Sequence, residues 1–546
     1  MNINFNNIML INELTNNITI LIPEIFLIIS IVILLVYGVI YSKLGGIVNI
    51  MRQISILGII VLCITLLLLW DIKDIIINEK VLNSSILGID NLSIMVKSVV
   101  IITTILILSM SLEVFKQKNE QIKDYEYTIL ILLATLGMLL LISSKDLIIM
   151  YLSIETLSLS LYILAGFKRT GQLSTEAGLK YLIMGGLSSG ILLFGCALIY
   201  ISTGILDFDN LANYIFNNTI INTNTNNEIG VEIGSLLICI AIMFKLAAAP
   251  FHMWAPDVYE GSPTIITAFF AIVPKIAILT LLVNLIYNVF WGIFNSVLLP
   301  FFIFSALLSV IIGSIGAVNQ TKFKRLLAYS AISHMGFILL GLIPGTLNSL
   351  QTSFIYIILY IITSLNTFAF TFIYFNKYKN SFKNTTYYLS DLSALSRKEP
   401  VLALTLTLSL FSIAGIPPLA GFISKYYILL SLIQNNYIVI ATLTILFSVI
   451  ACFYYIRIIQ YMYFKNNNTY LIKFLADVVY RKVPSSYINN HNNINSNNNT
   501  SSSIYYNVSL SPILILGSTL YILISFIFYP NPLLMITFDA ILNTFI

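Results

Sequence analysis

The sequence contains little charge and few of the residues that bind cofactors. Of 546 residues, 9% are charged, and the chain has four cysteines, three histidines and three tryptophans. Such low charge, together with a mean hydropathy of +0.92, excludes an ordinary soluble domain. The formal net charge of +5 is small and scattered among loops, so it gives no indication of nucleic acid binding.

The cysteines are too isolated to ligate a metal. Cys63, Cys196, Cys239 and Cys452 lie in separate apolar runs without CxxC or Cys/His spacing. We interpret them as small core residues and expect no metal, iron–sulfur cluster or haem. A glycine fingerprint for a dinucleotide or flavin is also missing, so we expect this chain to bind no cofactor.

Apolar runs of about 20 residues recur along the whole chain. They predict an all-α polytopic membrane protein with about fourteen transmembrane helices. No signal peptide or Arg-rich presequence is visible, so we expect these spans to direct insertion. The predicted spans are 20–41, 54–70, 92–115, 128–143, 146–166, 177–203, 233–251, 264–289, 296–318, 325–343, 351–375, 401–432, 437–464 and 510–528.

Basic residues are concentrated in the odd-numbered loops between these spans. Residues 322–325, for example, contain three bases, whereas residues 207–232 contain four acids and no base. By the positive-inside rule, the odd loops face the cytoplasm or, in a mitochondrion, the matrix. Heavy use of Ile, Asn, Tyr and Phe is typical of an A+T-rich organelle genome. We therefore predict a multi-pass membrane protein, with a composition that favours an organelle, and both termini on the side opposite the basic loops, which in a mitochondrion is the intermembrane space.

Prolines interrupt two of the predicted spans. Residues 245–264, KLAAAPFHMWAPDVYEGSPT, contain Pro250, and Pro417 lies 167 residues further on. Proline removes an amide donor, so each helix must break and leave carbonyls that need other partners. Because five spans separate the two breaks, the pattern predicts two inverted five-helix repeats. The predicted segments are 1–127 (three N-terminal helices), 128–290 (first repeat), 291–464 (second, inverted repeat), 465–509 (an Asn/Ser-rich loop insertion) and 510–546 (a C-terminal helix and tail).

Four ionisable residues lie within these spans: Glu155, Lys245, Lys275 and Lys425. An unpaired charge at the bilayer centre costs about 2.5–3.5 kcal/mol, so such residues are usually functional. Burial disfavours a charged lysine, whereas a nearby carboxylate favours it, so movement of Glu155 relative to Lys245 would switch lysine protonation. We predict that the four form a proton relay. The alternative for Glu155 and Lys245 is a static ion pair, and Lys275 and Lys425 could also be lysines that reach the interface.

Other polar residues near the breaks have two interpretations each. His252 and His334 fit either a proton relay or hydrogen-bonded packing. Lys180 fits the membrane interface, while Asp257 and Glu260 fit a cap or a brace at the first break. Three glycines indicate close helix packing: Gly185, Gly186 and Gly190.

Three long strings carry a resemblance to a known family. They are FKLAAAPFHMWAPDVYEGSPT (Phe244–Thr264), KRLLAYSAISHMGF (Lys324–Phe337) and AGIPPLAGFISKYY (Ala414–Tyr427). The chain resembles the antiporter-like membrane subunits of respiratory NADH:ubiquinone oxidoreductase, complex I, from about the third span to the thirteenth. FHMWAPDVYEGSP resembles the branch of subunit 2, the counterpart of bacterial subunit N, because subunits 4 and 5 typically carry a second histidine where this chain has Tyr259.

The resemblance implies proton translocation driven by quinone reduction elsewhere in a complex. It places the family's functional glutamate at Glu155 and its lysines at Lys245, Lys275 and Lys425. It also implies that the enzyme activity, NADH:ubiquinone reduction, belongs to the whole complex, with NADH, FMN, iron–sulfur clusters and ubiquinone bound by partner subunits. Expected partners are other membrane-arm subunits, including antiporter-like relatives, and lipids.

Two other functions fit the same residues. A Mrp-type cation/proton antiporter subunit would share the ancestry and the buried lysines. A scaffold that holds the membrane arm together without pumping would share the fold.

Overall fold

Helices account for nearly all of the chain whose structure is described. The computed structural model shows one short strand pair besides helices and turns. Residues 466–509, most of the predicted Asn/Ser-rich insertion, lie outside the described residues. The structure describes residues 2–42, 47–79, 82–83, 87–114, 125–169, 171–221, 226–378, 388–465 and 510–542.

The chain before the first break forms long helices, a shorter amphipathic helix (α7) and a hairpin whose two strands have two residues each. In the hairpin, β1 (Leu82–Asn83) pairs antiparallel with β2 (Gly88–Ile89), with Leu82 opposite Ile89. The helices are α1 (Asn2–Ser42), α2 (Ile47–Glu79), α3 (Asn91–Val114), α4 (Glu126–Ser143), α5 (Leu147–Ala165), α6 (Gln172–Thr203), α7 (Phe208–Ile221) and α8 (Asn226–Leu246).

The chain after the break contains both long helices and short segments. Two π-helical turns, Leu285–Val289 and Phe294–Leu298, flank α11, and a 3-10 turn covers Leu389–Leu392. The helices are α9 (Trp254–Gly261), α10 (Thr264–Asn284), α11 (Trp291–Ile293), α12 (Leu299–Val318), α13 (Phe323–Leu342), α14 (Leu347–Tyr378), α15 (Leu395–Lys398), α16 (Pro400–Ala414), α17 (Ala420–Gln434), α18 (Ile438–Tyr463), α19 (Leu510–Phe528) and α20 (Asn531–Leu542).

The predicted all-α polytopic fold is confirmed. Thirteen helical segments of the described chain are long and apolar enough to cross a membrane, and each overlaps a predicted span. The remaining predicted span, 401–432, consists of α16 and α17, each 15 residues long. A 15-residue helix is about 22 Å long, too short for a hydrocarbon core of about 30 Å. The count of about fourteen spans therefore requires that α16 and α17 together count as one discontinuous span, while α7, α20 and the hairpin were not predicted.

The first break separates α8 from α9. After Leu246, Ala247 adopts a left-handed φ of 58°, and Pro250 supplies no amide hydrogen. The Phe244 carbonyl accepts hydrogen bonds from the Ala247 amide (3.1 Å) and from the Trp254 indole (3.0 Å). A side chain of α9 thus satisfies a carbonyl that the broken helix leaves free.

The second break separates α16 from α17. Gly415 has a left-handed φ of 82°, and its amide bonds the Phe411 carbonyl at 3.1 Å. This is the usual glycine termination of a helix, because glycine adopts positive φ without steric cost. Both discontinuous helices occur where the inverted repeat requires them; the repeat and the five segment boundaries stay predictions.

Burial places α10, α13 and α14 at the centre of the bundle. Every residue in the most hydrophobic stretch of α10 is buried, and so are 89% of the residues in the corresponding stretches of α13 and α14. In α18 the buried share is 28%. Three of the predicted site residues, Lys275, His334 and Lys425, are buried on or against these central helices. The fold therefore encloses the candidate site.

Candidate functional site

The site begins on one face of α5, where Glu155, Ser158 and Tyr162 follow each other at helical spacing. Asp146 caps this helix by accepting a hydrogen bond from the Ile148 amide at 2.8 Å. The Ser158 hydroxyl donates to Glu155 Oε2 at 3.4 Å, and Glu155 Oε1 is buried without a partner among the described residues. One carboxylate oxygen is therefore available to a proton or a water.

Lys245 lies in the last turn of α8 and faces α5. Its ammonium donates to the Tyr162 hydroxyl at 2.9 Å and lies 5.4 Å from the centre of the same ring. Within the described chain, Lys245 and Glu155 form no direct ion pair at N···O distances up to 4.0 Å. Glu155 and Lys245 thus contact two hydroxyl groups on the same face of α5, those of Ser158 and Tyr162 respectively, and the switched pair stays a prediction.

A small cavity lies between Lys245 and Lys275. It offers about 20 Å³ to the centres of water molecules, which is enough for one water. Ser158 and both lysines are among its lining residues, and most of the remaining lining is apolar or aromatic. The cavity therefore has room for one water between two residues of the predicted relay.

Lys275 is buried in the middle of α10 and reaches α14. Its ammonium donates to the Tyr360 hydroxyl at 3.2 Å and lies 5.0 Å from the ring centre. The Tyr360 hydroxyl in turn donates to the Ala271 carbonyl at 3.4 Å. The Tyr360 hydroxyl thus accepts from Lys275 and donates back to α10, while its contact with α13 is made by its ring.

His334 on α13 lies beyond Tyr360, with ring centres 5.4 Å apart. Its Nδ1 is 2.7 Å from the Tyr356 hydroxyl and its Nε2 is 3.3 Å from the Tyr455 hydroxyl. Both ring nitrogens therefore have hydrogen-bonding partners. The tyrosine partners fit either of the two roles predicted for this histidine.

A second cavity joins His334 and Tyr360 to Lys425. It also offers about 20 Å³ to water centres. Lys425 on α17 donates to the carbonyls of Ile413 (3.0 Å) and Ala414 (2.8 Å), the last residues of α16. The carboxyl end of a helix carries partial negative charge, so it stabilises the ammonium. Carbonyls freed by the second break thus hold the terminal lysine.

Five of the six predicted site residues form one row through the bundle. In order, the groups are Glu155, Ser158, Tyr162, Lys245, the first cavity, Lys275, Tyr360, His334, the second cavity and Lys425.

His252 is the predicted site residue outside the row. It is buried at the first break, and its Nδ1 has no hydrogen-bonding partner among the described residues. It contributes to the wall of neither cavity. The relay role of His252 therefore stays a prediction, because its side chain lines neither cavity of the row.

The hydroxyl groups of the row were not predicted from the sequence. Tyr162 lies seven residues after Glu155, two helical turns along the same face, and this spacing was the available signal. Tyr360 lies within α14 among many apolar residues and had no comparable signal. The buried ion pair between Glu24 and Lys97, at 2.6 Å, was also missed.

Gly185 positions Tyr162. A Cβ at Gly185 would meet the Tyr162 hydroxyl at 2.0 Å, whereas Gly186 and Gly190 have nothing within 4 Å of a Cβ. The predicted close packing is thus confirmed at Gly185 and absent at the other two glycines in this structure.

The described cysteines and acids offer no metal site. All four cysteines are free, and no group of three His, Cys, Asp or Glu side chains suited to a metal ion occurs in the described part of the chain.

The fold and this row define a class of protein: a polytopic membrane protein with two discontinuous helices and buried lysines at the breaks, typical of ion-translocating proteins. Residues 144–451 match the sequence family described as "NADH:quinone oxidoreductase/Mrp antiporter, TM". The chain belongs to this family.

Relatives support this assignment. The chain is 41% identical over 458 residues to NADH-ubiquinone oxidoreductase chain 2 of Marchantia polymorpha, covering 83% of this chain and 90% of that protein. It is 38% identical over 454 residues to NADH-quinone oxidoreductase subunit N of Pelagibacter ubique, covering 82% and 90%. The resemblance to the branch of subunits 2 and N is confirmed.

A solved structure shares the fold. A chain of the Mrp complex from Dietzia sp. DQ12-45-1b superposes with a TM-score of 0.74, covering 97% of this chain and 98% of that chain. The two are 20% identical, so the likeness is one of fold alone.

Proposed function

We propose that this chain translocates protons across the mitochondrial inner membrane as a membrane-arm subunit of NADH:ubiquinone oxidoreductase. The observation that supports this function best is the row from Glu155 to Lys425, which contains one carboxyl group, three amines, three hydroxyls, one imidazole and two water-sized cavities. Each of these groups can accept or donate a proton, whereas apolar helices surround them.

Glu155 acts as the switch of the first lysine. At an effective dielectric constant of 20, an increase of the carboxylate–ammonium separation from about 4 to about 8 Å weakens their attraction by about 2 kcal/mol. That change shifts the protonation equilibrium of Lys245 roughly thirtyfold towards the neutral form. Tyr162 transmits the change because its hydroxyl contacts the ammonium directly.

Lys275 and Lys425 receive the proton in turn. When Lys245 releases its proton into the first cavity, a water there passes it to Lys275. Tyr360 and His334 lead from Lys275 to the second cavity and Lys425. The carbonyls of Ile413 and Ala414 stabilise the charged terminal lysine until the proton leaves.

Electron transfer belongs to partner subunits under this proposal. We expect NADH, FMN, iron–sulfur clusters and ubiquinone to bind other chains of the complex, with this chain contacting membrane-arm subunits, antiporter-like relatives among them, and lipids. The two termini lie in the intermembrane space if the basic loops face the matrix.

Two other functions are compatible with this fold. A Mrp-type antiporter subunit shares the fold, but the relatives that cover most of this chain are named as oxidoreductase subunits. A scaffold without proton transport would tolerate neutral replacements in the row.

The proposal is tested with Lys245→Met in vesicles that contain the assembled complex. We expect normal abundance of the complex and a sharp loss of NADH-driven proton pumping, because methionine keeps much of the side-chain length without the titratable amine. Lys465→Met, at an exposed position two residues after α18, is the matched control and should pump normally. Unchanged pumping in Lys245→Met would favour the scaffold.

A further inference from the structure

The carboxyl-terminal half of α18 carries a set of side chains that the row does not use. Phe453, Arg457 and Tyr461 follow each other at four-residue spacing, so they lie on one face of the helix. Lys465, two residues after the helix, continues the same spacing. Phe453 is 60% exposed, and Arg457 and Tyr461 are partly exposed. This face therefore lies on the outer surface of the chain.

The length of α18 places these residues at a membrane surface. The helix has 26 residues and is about 39 Å long, whereas the hydrocarbon core is about 30 Å thick. The rise from Ile438, the first residue of the helix, to Arg457 is about 29 Å. A helix that enters the core at Ile438 thus brings Arg457 to the opposite edge of the core and Tyr461 among the lipid headgroups.

Arg457 joins the ends of two helices. Its Nη1 donates a hydrogen bond of 2.9 Å to the carbonyl of Val318, the last residue of α12. This bond uses one of the five N–H donors of the guanidinium. Both helices are followed by basic residues predicted to face the matrix, those of 322–325 after α12 and Lys465 after α18. The guanidinium is therefore held at the matrix side of the membrane, with donors left for a further acceptor.

No carboxylate neutralises this charge in the described part of the chain. The elements that carry Asp391 and adjoin Glu399 pack against α18, yet Arg457 and Lys465 form no ion pair there at N···O distances up to 4.0 Å. Both cations instead contact the ring of Tyr461. Arg457 Cζ lies 5.9 Å from the ring centre, and the Lys465 ammonium lies 3.7 Å from it. The positive charge around this phenol thus lacks an anion.

The surface next to Arg457 is apolar on the side of the bilayer centre. One helical turn before Arg457 lies Phe453, and one turn before Val318 lies Ile315, which is 51% exposed. Both helices are predicted to run towards the matrix, so these two side chains lie deeper in the membrane than the guanidinium. A free phosphate would use the charge alone. A phospholipid would use both the charge and the apolar surface below it.

From these observations we infer that the ends of α12 and α18 bind one anionic phospholipid of the matrix leaflet. We call this place the α18 lipid site and define it by Arg457, Tyr461, Phe453 and Ile315. The planar guanidinium donates to the phosphate oxygens, a geometry that arginine matches well. The Tyr461 hydroxyl is a second donor at headgroup level, where tyrosine is enriched. An acyl chain lies against Phe453 and Ile315. The inference does not depend on proton transport.

Photo-crosslinking in the assembled complex tests the site without any substitution. The complex is placed in phosphatidylcholine vesicles that contain a trace of phosphatidylglycerol with a photoactivatable acyl chain, and labelled peptides are identified by mass spectrometry. We expect label on α18 around Phe453. A phosphatidylcholine analogue with the same photoactivatable chain should label this segment several-fold less, because it carries no net charge. Equal labelling by the two lipids would overturn the site, and so would the absence of label, which would indicate that a partner subunit covers this face.

Arg457→Gln tests the headgroup contact. Glutamine keeps an amide donor for the Val318 carbonyl but removes the charge. We expect phosphatidylglycerol labelling of α18 to fall about fivefold, the contribution of one base near an anionic headgroup. Arg169→Gln removes the same charge from an exposed position in the loop after α5 and is the matched control, with wild-type labelling expected. Unchanged labelling in Arg457→Gln, or equal decreases in both variants, would refute a specific site.

A soluble competitor separates a lipid from a free phosphate. Glycerol 3-phosphate carries a phosphate ester but no acyl chain, so an excess of it should leave the labelling of α18 by phosphatidylglycerol nearly unchanged. Loss of the label in its presence would identify a site for free phosphate esters and would contradict the lipid. Because none of these measurements uses proton pumping, failure of the lipid site leaves the test of Lys245→Met unaffected.

Discussion

Replacing Tyr162 by phenylalanine isolates the contact between the acid and the first lysine. The hydroxyl that accepts from Lys245 at 2.9 Å is removed, while the ring, 5.4 Å from the ammonium, is retained. The change therefore alters one hydrogen bond without emptying the space that Gly185 leaves for the ring.

The size of the effect follows from the charge on the donor. A hydrogen bond to a charged group contributes about 1.5–3 kcal/mol, equivalent to roughly a ten- to hundredfold change in an equilibrium constant. Without this acceptor the charged form of Lys245 is less stable in Tyr162→Phe. We expect proton pumping to fall about tenfold or more, with little change in the abundance of the complex.

The assay is proton uptake driven by NADH in vesicles that contain the assembled variant. Tyr200→Phe is the matched control, because Tyr200 lies on α6 with half of its side chain exposed. Wild-type pumping in Tyr162→Phe would show that Glu155 and Lys245 communicate without this hydroxyl, and the row would then be wrong at its first step.

Two further predictions concern packing and charge pairing. Gly185→Ala should displace the Tyr162 hydroxyl at an overpacking cost of about 1–3 kcal/mol and reduce pumping, whereas Gly186→Ala, with open space, should pump normally; equal pumping by the two variants would contradict the positioning role. Glu24→Gln should leave the Lys97 ammonium buried and unpaired at a cost of about 3–5 kcal/mol, seen as a lower thermal midpoint of the complex. The double replacement Glu24→Leu/Lys97→Met should lower the thermal midpoint less than Glu24→Gln does, because it leaves no charge buried. A larger decrease in the double variant would refute this reasoning.

The sequence predicted the parts of the fold that depend on single residues. Pro250 and Pro417 cannot donate an amide hydrogen, so the breaks between α8 and α9 and between α16 and α17 follow from the positions of these prolines in the chain. A charge within an apolar run is equally conspicuous, which is why Lys245, Lys275 and Lys425 were found.

The tyrosines that lie between the lysines could not be predicted from the sequence in the same way. Tyrosine is common in this chain, with 32 residues, and it is tolerated in a membrane helix whether or not its hydroxyl is used. What selects Tyr360 is its approach to Lys275, 85 positions away in the chain, and sequence spacing cannot show such a contact. The hairpin β1–β2 is two residues per strand, too short for any alternation of polar and apolar residues.

The central claim is that Lys245 carries protons, and the most direct measurement is the number of protons pumped per NADH oxidised by the Lys245→Met complex. The account predicts a normally assembled complex with a lower ratio, or with turnover and pumping both lost. A complex that assembles, oxidises NADH at the wild-type rate and pumps the wild-type number of protons would contradict it.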